Sequence, residues 1–237
     1  MTRQKNNLLR KIFGPLSGVA SAVGACNGNE ELAKERAAYA EIGRIVGIPF
    51  STPNVYERFA AQVEKVIPFD MIVITQLNLE RNSFNIKYTF GMDVAGIGRG
   101  NTRTLEDSVV AKVADASSAI RTDQYIDAGS AAKSLDEAGL LSRIATPLIA
   151  NDQVVGTLHV TSKHTNVYGE LELARLEIVG NQIAGAIASA IQLQAEKDRA
   201  SQLESLYGVA AILAQPLSFE DKSKKIVDEL ASIVGAD

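Results

Sequence analysis

The sequence predicts an α+β domain of two layers, a central antiparallel sheet packed against N- and C-terminal helices, with one long helix continuing beyond it. Three observations carry this. Ser142–Ala150 and Gln153–Ser162 are apolar, β-branched runs, and Asn151-Asp152 between them tolerates the left-handed angles of a tight reversal. Residues 83–90 alternate apolar and polar side chains, the period of a half-buried strand. From 170 onward the apolar residues recur at three and four, the period of an amphipathic helix.

Composition narrows the function classes. The chain has 237 residues, 46% of them apolar, enough for one full domain and part of another. Its net charge is −4 with both signs interspersed, and its 5% aromatic content includes no Trp, so no nucleic-acid footprint is present. A single cysteine, Cys26, excludes an internal disulfide and a cysteine-rich metal cluster. Arg3, Lys5, Arg10 and Lys11 precede a short apolar run, 12–25, in the manner of a signal peptide. That run is too short to span a bilayer and is interrupted by Gly14-Pro15, so residues 1–29 are read as a flexible leader, with no direct membrane contact.

Taken in order, Asn27-Gly28-Asn29 marks a break, and a linker helix follows within 30–53, with Leu32, Tyr39, Ile42, Ile45 and Val46 at helical spacing. Pro49 and Pro53 stop it. A second helix begins near Asn54 and ends at Pro68. Residues 69–77 are apolar at nearly every position and read as a central strand. In 83–90, Phe84, Ile86, Tyr88 and Phe90 are expected on one face, with Asn85, Lys87 and Thr89 opposite. Four glycines make 91–100 a loop. Residues 105–116 are expected to form a short helix with Leu105, Val109, Val110 and Val113 inward. A short strand at 119–122 and a short helix at 131–139 precede the hairpin.

Beyond 191 the helix shows no clear stop. A seam through Leu176, Val179, Ile183, Ala186, Ala190 and Leu193 lapses over the polar 194–202, then resumes one residue out of phase at Leu203, Leu206, Ala210 and Leu213. Such a slip marks a domain boundary inside one helix. The chain then repeats itself: setting Pro49 against Pro216 pairs Ile42 with Val209, Ser51 with Ser218, Phe59 with Ile226 and Val63 with Leu230. Residues 194–217 are therefore read as a linker helix and 218–237 as the opening helix of a truncated second copy.

Pro147-Leu148, the Asn151-Asp152 turn, Val155-Gly156-Thr157-Leu158, Tyr168 and Asn181-Gln182-Ile183-Ala184 resemble the C-terminal half of a GAF domain. The resemblance spans residues 54–193. It implies a sensor module of a cytoplasmic signalling protein, such as the histidine kinase of a two-component system. It also places a small-ligand pocket between one sheet face and the short helices after the second strand. The implied ligand-binding residues are Tyr88, Phe90, Val109, Arg121, Tyr125 and Arg143. Arg121 and Arg143 could hold a carboxylate or phosphate, since guanidinium presents a fork of donors. Asp123 or Asp127 could equally pair with them.

No catalytic or metal site emerges. Between residues 54 and 193 there is no cysteine of the kind that GAF-type sulfoxide reductases and bilin photoreceptors use, so neither activity nor a cofactor is expected. His159 and His164 are the two histidines; His159 reads as a sheet histidine and His164 as solvated. The glycines of 96–100 lack the Lys-Ser/Thr pair of a phosphate loop. The expectation is a non-catalytic sensory module that binds an unknown small molecule. It would form a homodimer through its N- and C-terminal helices and relay to downstream GAF and output domains. The alternative is a ligand-free dimerisation module, and a GAF-type enzyme stands third.

Overall fold

The computed structural model describes residues 17–48, 54–116, 118–122, 129–216 and 218–234. The chain divides into a compact unit ending at Ala186 and a second one from Ile187 to Asp237.

Helix α1 (Ser17–Val46) opens the first unit. It starts well before the expected break at Asn27-Gly28-Asn29, so residues 17–29 are helical rather than part of a flexible leader. The reason is energetic: Asn and Gly each cost at most about 1 kcal/mol against alanine inside a helix. Alanines at 20, 22 and 25 keep the helix going before that point. The proline-rich stop at 49–53 lies outside the described residues. Helix α2 (Val55–Val63) starts from Asn54 in a left-handed conformation, φ 63°. It ends before Pro68, because Val66 and Ile67 already turn back onto the Val63 carbonyl.

The strands are β1 (Met71–Asn78), β2 (Ser83–Gly91), β3 (Thr102–Thr104), β4 (Ile120–Arg121), β5 (Ser142–Ala150) and β6 (Gln153–Ser162). They form one sheet in the order β3-β2-β1-β6-β5-β4, antiparallel at every pairing. Between them lie α3 (Val109–Asp115) and α4 (Gly129–Glu137). Strand β3 falls between the loop expected at 91–100 and the helix expected from 105, where three polar residues carry no alternation to read. Helix α3 starts later than expected. Ser108 caps it by accepting from the Ala111 amide at 3.0 Å, which leaves Leu105 in the preceding turn.

Two glycines hold the sheet together by having no side chain. A Cβ on Gly156 would collide with the Thr75 carbonyl, and one on Gly91, at φ 96°, with the Asp70 carbonyl. Asp70 joins the ends of β1 and β6 by accepting from Ser162 Oγ (3.0 Å) and the Lys163 amide (2.8 Å), and that amide above all holds its carboxyl below the usual range.

On one face of the sheet Ile72, Ile74, Ile144, Leu148, Leu158 and Val160 are buried together with side chains of α1, α2 and α5 (Glu170–Ala214). Helix α5 lies close, for a Cβ on Gly180 would press on the methyl of Thr146. Arg175 of α5 donates to both carboxylate oxygens of Glu35 in α1, at 3.0 and 3.1 Å. Tyr168 donates to the Pro68 carbonyl at 2.9 Å, and burial pushes its phenol up.

Helix α5 is unbroken to Ala214. The stretch 192–204, which includes the polar 194–202 where the seam lapses in the sequence, is exposed along its whole length. Helix α6 (Phe219–Val234) follows, capped by Ser218, which accepts from the Asp221 amide at 3.1 Å and donates to its carboxylate at 2.6 Å.

Candidate functional site

The other sheet face carries the candidate site. Met71, Val73, Leu77, Phe84 and Ile86 form an apolar cluster there with Val94, Ile97, Val110 and Leu140. Within it lies a cavity of about 80 Å³. Its floor is β1, β2 and β6, through Val73, Thr75, Phe84, Ile86, His159 and Thr161. Its cover is α3 with Val109 and Val110, α4 with Leu135, and Ile97 of the glycine-rich loop.

Arg103 holds that loop in place. Its Nε and Nη2 both donate to the Gly96 carbonyl, at 3.2 and 2.7 Å. Gly96 has φ 76°, a backbone conformation that favours glycine, and the guanidinium lies where a Cβ would otherwise stand. The glycines of this loop thus shape a lid over an apolar wall.

The expected site residues divide. Val109 and Arg143 line the cavity. Tyr88 and Phe90 do not, because β2 contains a bulge. Ile74 pairs with Tyr88 while its neighbour Thr75 pairs with Ile86, so Lys87 has no opposite residue. One extra residue reverses the alternation. Phe84 and Ile86 stay on the cavity face, and Tyr88 turns to the helix face, where it stacks on Tyr56 at 4.5 Å. The expectation of one face for all four side chains assumed an unbroken strand, and no residue in 83–90 advertises the bulge.

Arg121 and Arg143 also part company. Arg121 pairs with Ile144, a helix-face residue, whereas the Thr122 amide donates to the Arg143 carbonyl at 2.9 Å and Thr122 lines the cavity. The two side chains therefore leave the sheet on opposite faces. Arg143 is buried and committed: Nε donates to the Leu140 carbonyl at 2.9 Å and Nη2 to the Asp136 carboxylate. Among the described residues Asp136 is the carboxylate that pairs with this arginine; Asp123, Asp127 and Tyr125, also expected at the site, lie outside the described residues.

Sequence reasoning missed the polar floor. Thr75 Oγ1 and Thr157 Oγ1 are 2.6 Å apart, and Thr157 Oγ1 lies 2.7 Å from His159 Nε2. The Thr157 amide also donates to Thr75 Oγ1 at 3.2 Å. Burial lowers the His159 pKa to about 4, so its ring is neutral at physiological pH. The Thr-x-His alternation of β6 was the available signal, since residues two apart on a strand share a face. Among the described residues no group of three or more His, Cys, Asp or Glu side chains is placed to hold a metal ion.

The cavity is small. An engineered apolar cavity of roughly 150 Å³ takes up benzene, and drug-sized ligands occupy roughly 300 Å³ or more. The volume as it stands matches a molecule of a few heavy atoms.

A family profile described as GAF domain matches residues 53–188. Among solved structures, the GAF domain of a phosphoenolpyruvate-protein phosphotransferase from Coxiella burnetii superposes with a TM-score of 0.57 at 14% identity, covering 69% of this chain and 98% of that one. The GAF domain of an Acinetobacter phosphoenolpyruvate-protein phosphotransferase gives 0.53 at 18% identity, over 70% and 97%. That of a two-component sensor histidine kinase from Bacillus halodurans gives 0.50 at 18%, over 59% and 95%. At these identities the likeness concerns the fold. No curated protein matches the chain. With the six-stranded sheet, the helix layer on one face and the covered cavity on the other, the profile match over more than half its length shows that the chain belongs to the GAF domain family.

Proposed function

We propose that this chain is the sensory part of a larger signalling protein, a cytoplasmic histidine kinase being the context that fits best, and that it performs no catalysis itself. One observation carries the reading: the sheet has a covered apolar cavity on one face and, packed on the other, a helix that runs from Glu170 to Ala214. A ligand in the cavity would press on Val73, Thr75 and His159, whose strands β1 and β6 also carry Ile74, Leu158 and Val160 against the helices. The sheet is thus the layer through which occupancy reaches α5. Relay then needs two helix packings of similar energy, which a homodimer through α1 and α5 supplies. A sensor-type GAF domain among the structural neighbours agrees with this, as does the absence of any helix long and apolar enough to cross a membrane among the described residues. Residues 218–237 are, in this reading, the start of a second GAF domain that receives the signal.

Native mass spectrometry of the full chain purified from its own host, before and after mild denaturation, tests the proposal. A dimer with a co-purified small molecule that denaturation removes is the expected result. An apo dimer would favour a second reading, a dimerisation module whose cavity stays filled by its own side chains, which the modest volume supports. A monomer without ligand would contradict both.

A further inference from the structure

Thr75, Thr157 and His159 form a hydrogen-bond chain whose direction can be worked out. Three short contacts must share the available protons: Thr157 N to Thr75 Oγ1, Thr75 Oγ1 to Thr157 Oγ1, and Thr157 Oγ1 to His159 Nε2. With a neutral ring there are two possible arrangements. If Nε2 carries the proton, His159 donates to Thr157, and whichever threonine donates to the other, one hydroxyl proton is left over; take the case in which Thr157 donates to Thr75. The Thr75 hydroxyl proton then has no acceptor among the described residues. Thr75 is 2% exposed and lines the cavity, so this tautomer leaves two wall groups without a partner among the described residues, a hydroxyl proton and the bare Nδ1. If instead Nε2 is bare, Thr75 donates to Thr157 and Thr157 donates to His159. Every hydroxyl proton is then used. The ring proton sits on Nδ1, which has no partner among the described residues, in a side chain that lines the cavity.

We infer that the threonine pair fixes His159 as the Nδ1–H tautomer, so that the cavity offers its ligand a hydrogen-bond donor and selects a small molecule with a carbonyl or carboxylate acceptor. This inference rests on the cavity being a ligand pocket. Size and wall chemistry set the rest of the ligand. About 80 Å³ leaves room for roughly three to five heavy atoms, and Val73, Ile86, Ile97, Val109 and Val110 demand an apolar body. Arg103 and Arg143 also border the space, and both are engaged, by the Gly96 carbonyl and by Asp136, which leaves the ring N–H of His159 as a donor of the sheet wall that is not spent on any described residue. A short-chain ketone and a short-chain carboxylate share this chemistry.

The test uses the full chain labelled with ¹⁵N-histidine, with three probes: 2-butanone, propionate and xenon. Two-bond ¹⁵N–¹H spectra should show His159 as the Nδ1–H tautomer in the free protein, with the solvated His164 as internal reference. One of the two acceptor probes should then shift the His159 Nδ1 signal in a saturable way. A response to 2-butanone identifies a neutral carbonyl ligand, and one to propionate a carboxylate. Replacing both hydroxyls by methyls of the same shape, Thr75→Val with Thr157→Val, should weaken that probe roughly tenfold and leave xenon uptake unchanged. Thr157→Ser retains the hydroxyl and should bind as the parent does, which separates loss of the chain from loss of packing. An Nε2–H tautomer overturns the inference, as does xenon entry without either acceptor probe, and in both cases the pocket itself survives. Failure of xenon as well would overturn the ligand pocket along with it.

Discussion

Tyr56 of α2 and Tyr88 of β2 stack ring on ring, with centroids 4.5 Å apart and planes 13° from parallel. This pair locates the bulge at Lys87, because an unbroken β2 would point Tyr88 at the cavity instead. It also leaves the Tyr88 hydroxyl buried with no partner among the described residues, and burial raises its pKa well above the usual phenol value. Tyr88→Phe should therefore stabilise the fold by about 1 kcal/mol, since it removes an unsatisfied polar group and keeps the stack. Tyr88→Ala should cost roughly 3 kcal/mol or more. Urea denaturation of both variants checks the pair, and neither should change occupancy of the cavity.

Gly156 and Gly43 should respond to alanine with opposite signs. At Gly156 the new methyl meets the Thr75 carbonyl in the middle of the sheet, and overpacking of this kind costs about 1–3 kcal/mol or more. At Gly43, exposed on α1, nothing lies within 4 Å, so Gly43→Ala should stabilise by about 0.5–1 kcal/mol through helix propensity alone. Thermal melts of the two variants decide.

The stability of the chain should fall with acid through His159. Its ring titrates near 6.5 when unfolded and near 4 when folded, because burial disfavours the charged form. Above pH 6.5 both states are neutral and the full stability is present. Between pH 6.5 and 4 the unfolded chain takes up a proton that the folded one refuses, so stability drops by roughly 3 kcal/mol over that window. Asp70, whose pKa is lowered, acts in the same direction where its carboxylate protonates. Denaturation at a series of pH values should show this slope, and His159→Gln should flatten it between pH 6.5 and 4.

Leu203 and Leu206 are 54% and 66% exposed on α5, on the stripe that resumes after the polar stretch. If that stripe is a dimer seam, Leu203→Glu with Leu206→Glu should weaken self-association at least tenfold in sedimentation velocity. The fold of the first unit, read by its thermal transition, should not change.

Much of the architecture was legible because periodicity reports it directly. The hairpin Ser142–Ala150 to Gln153–Ser162, its Asn151-Asp152 turn and the helix from Glu170 appear at the residues where the pattern places them. The early start of α1 was not legible, since Asn27-Gly28-Asn29 is equally compatible with a break and with a helix that absorbs its cost. The site was half legible. Val109 and Arg143 line the cavity, but the bulge at Lys87 depends on pairing with β1 and carries no local signature. Likewise, Arg121 is set apart from Arg143 by a register against β5 that two residues of β4 cannot announce. The polar floor of Thr75, Thr157 and His159 joins strands far apart in the chain, and only the fold brings them together.

Methyl NMR of isoleucine- and valine-labelled chain, titrated with a low-molecular-weight extract of its host cells, addresses ligand sensing most directly. The cavity predicts saturable shifts at Val73, Ile86, Ile97, Val109 and Val110, with smaller shifts relayed to Ile74 and Val160 on the helix face. An extract that leaves those five side chains unmoved, or moves only the helix face, would contradict a ligand-sensing pocket on this sheet.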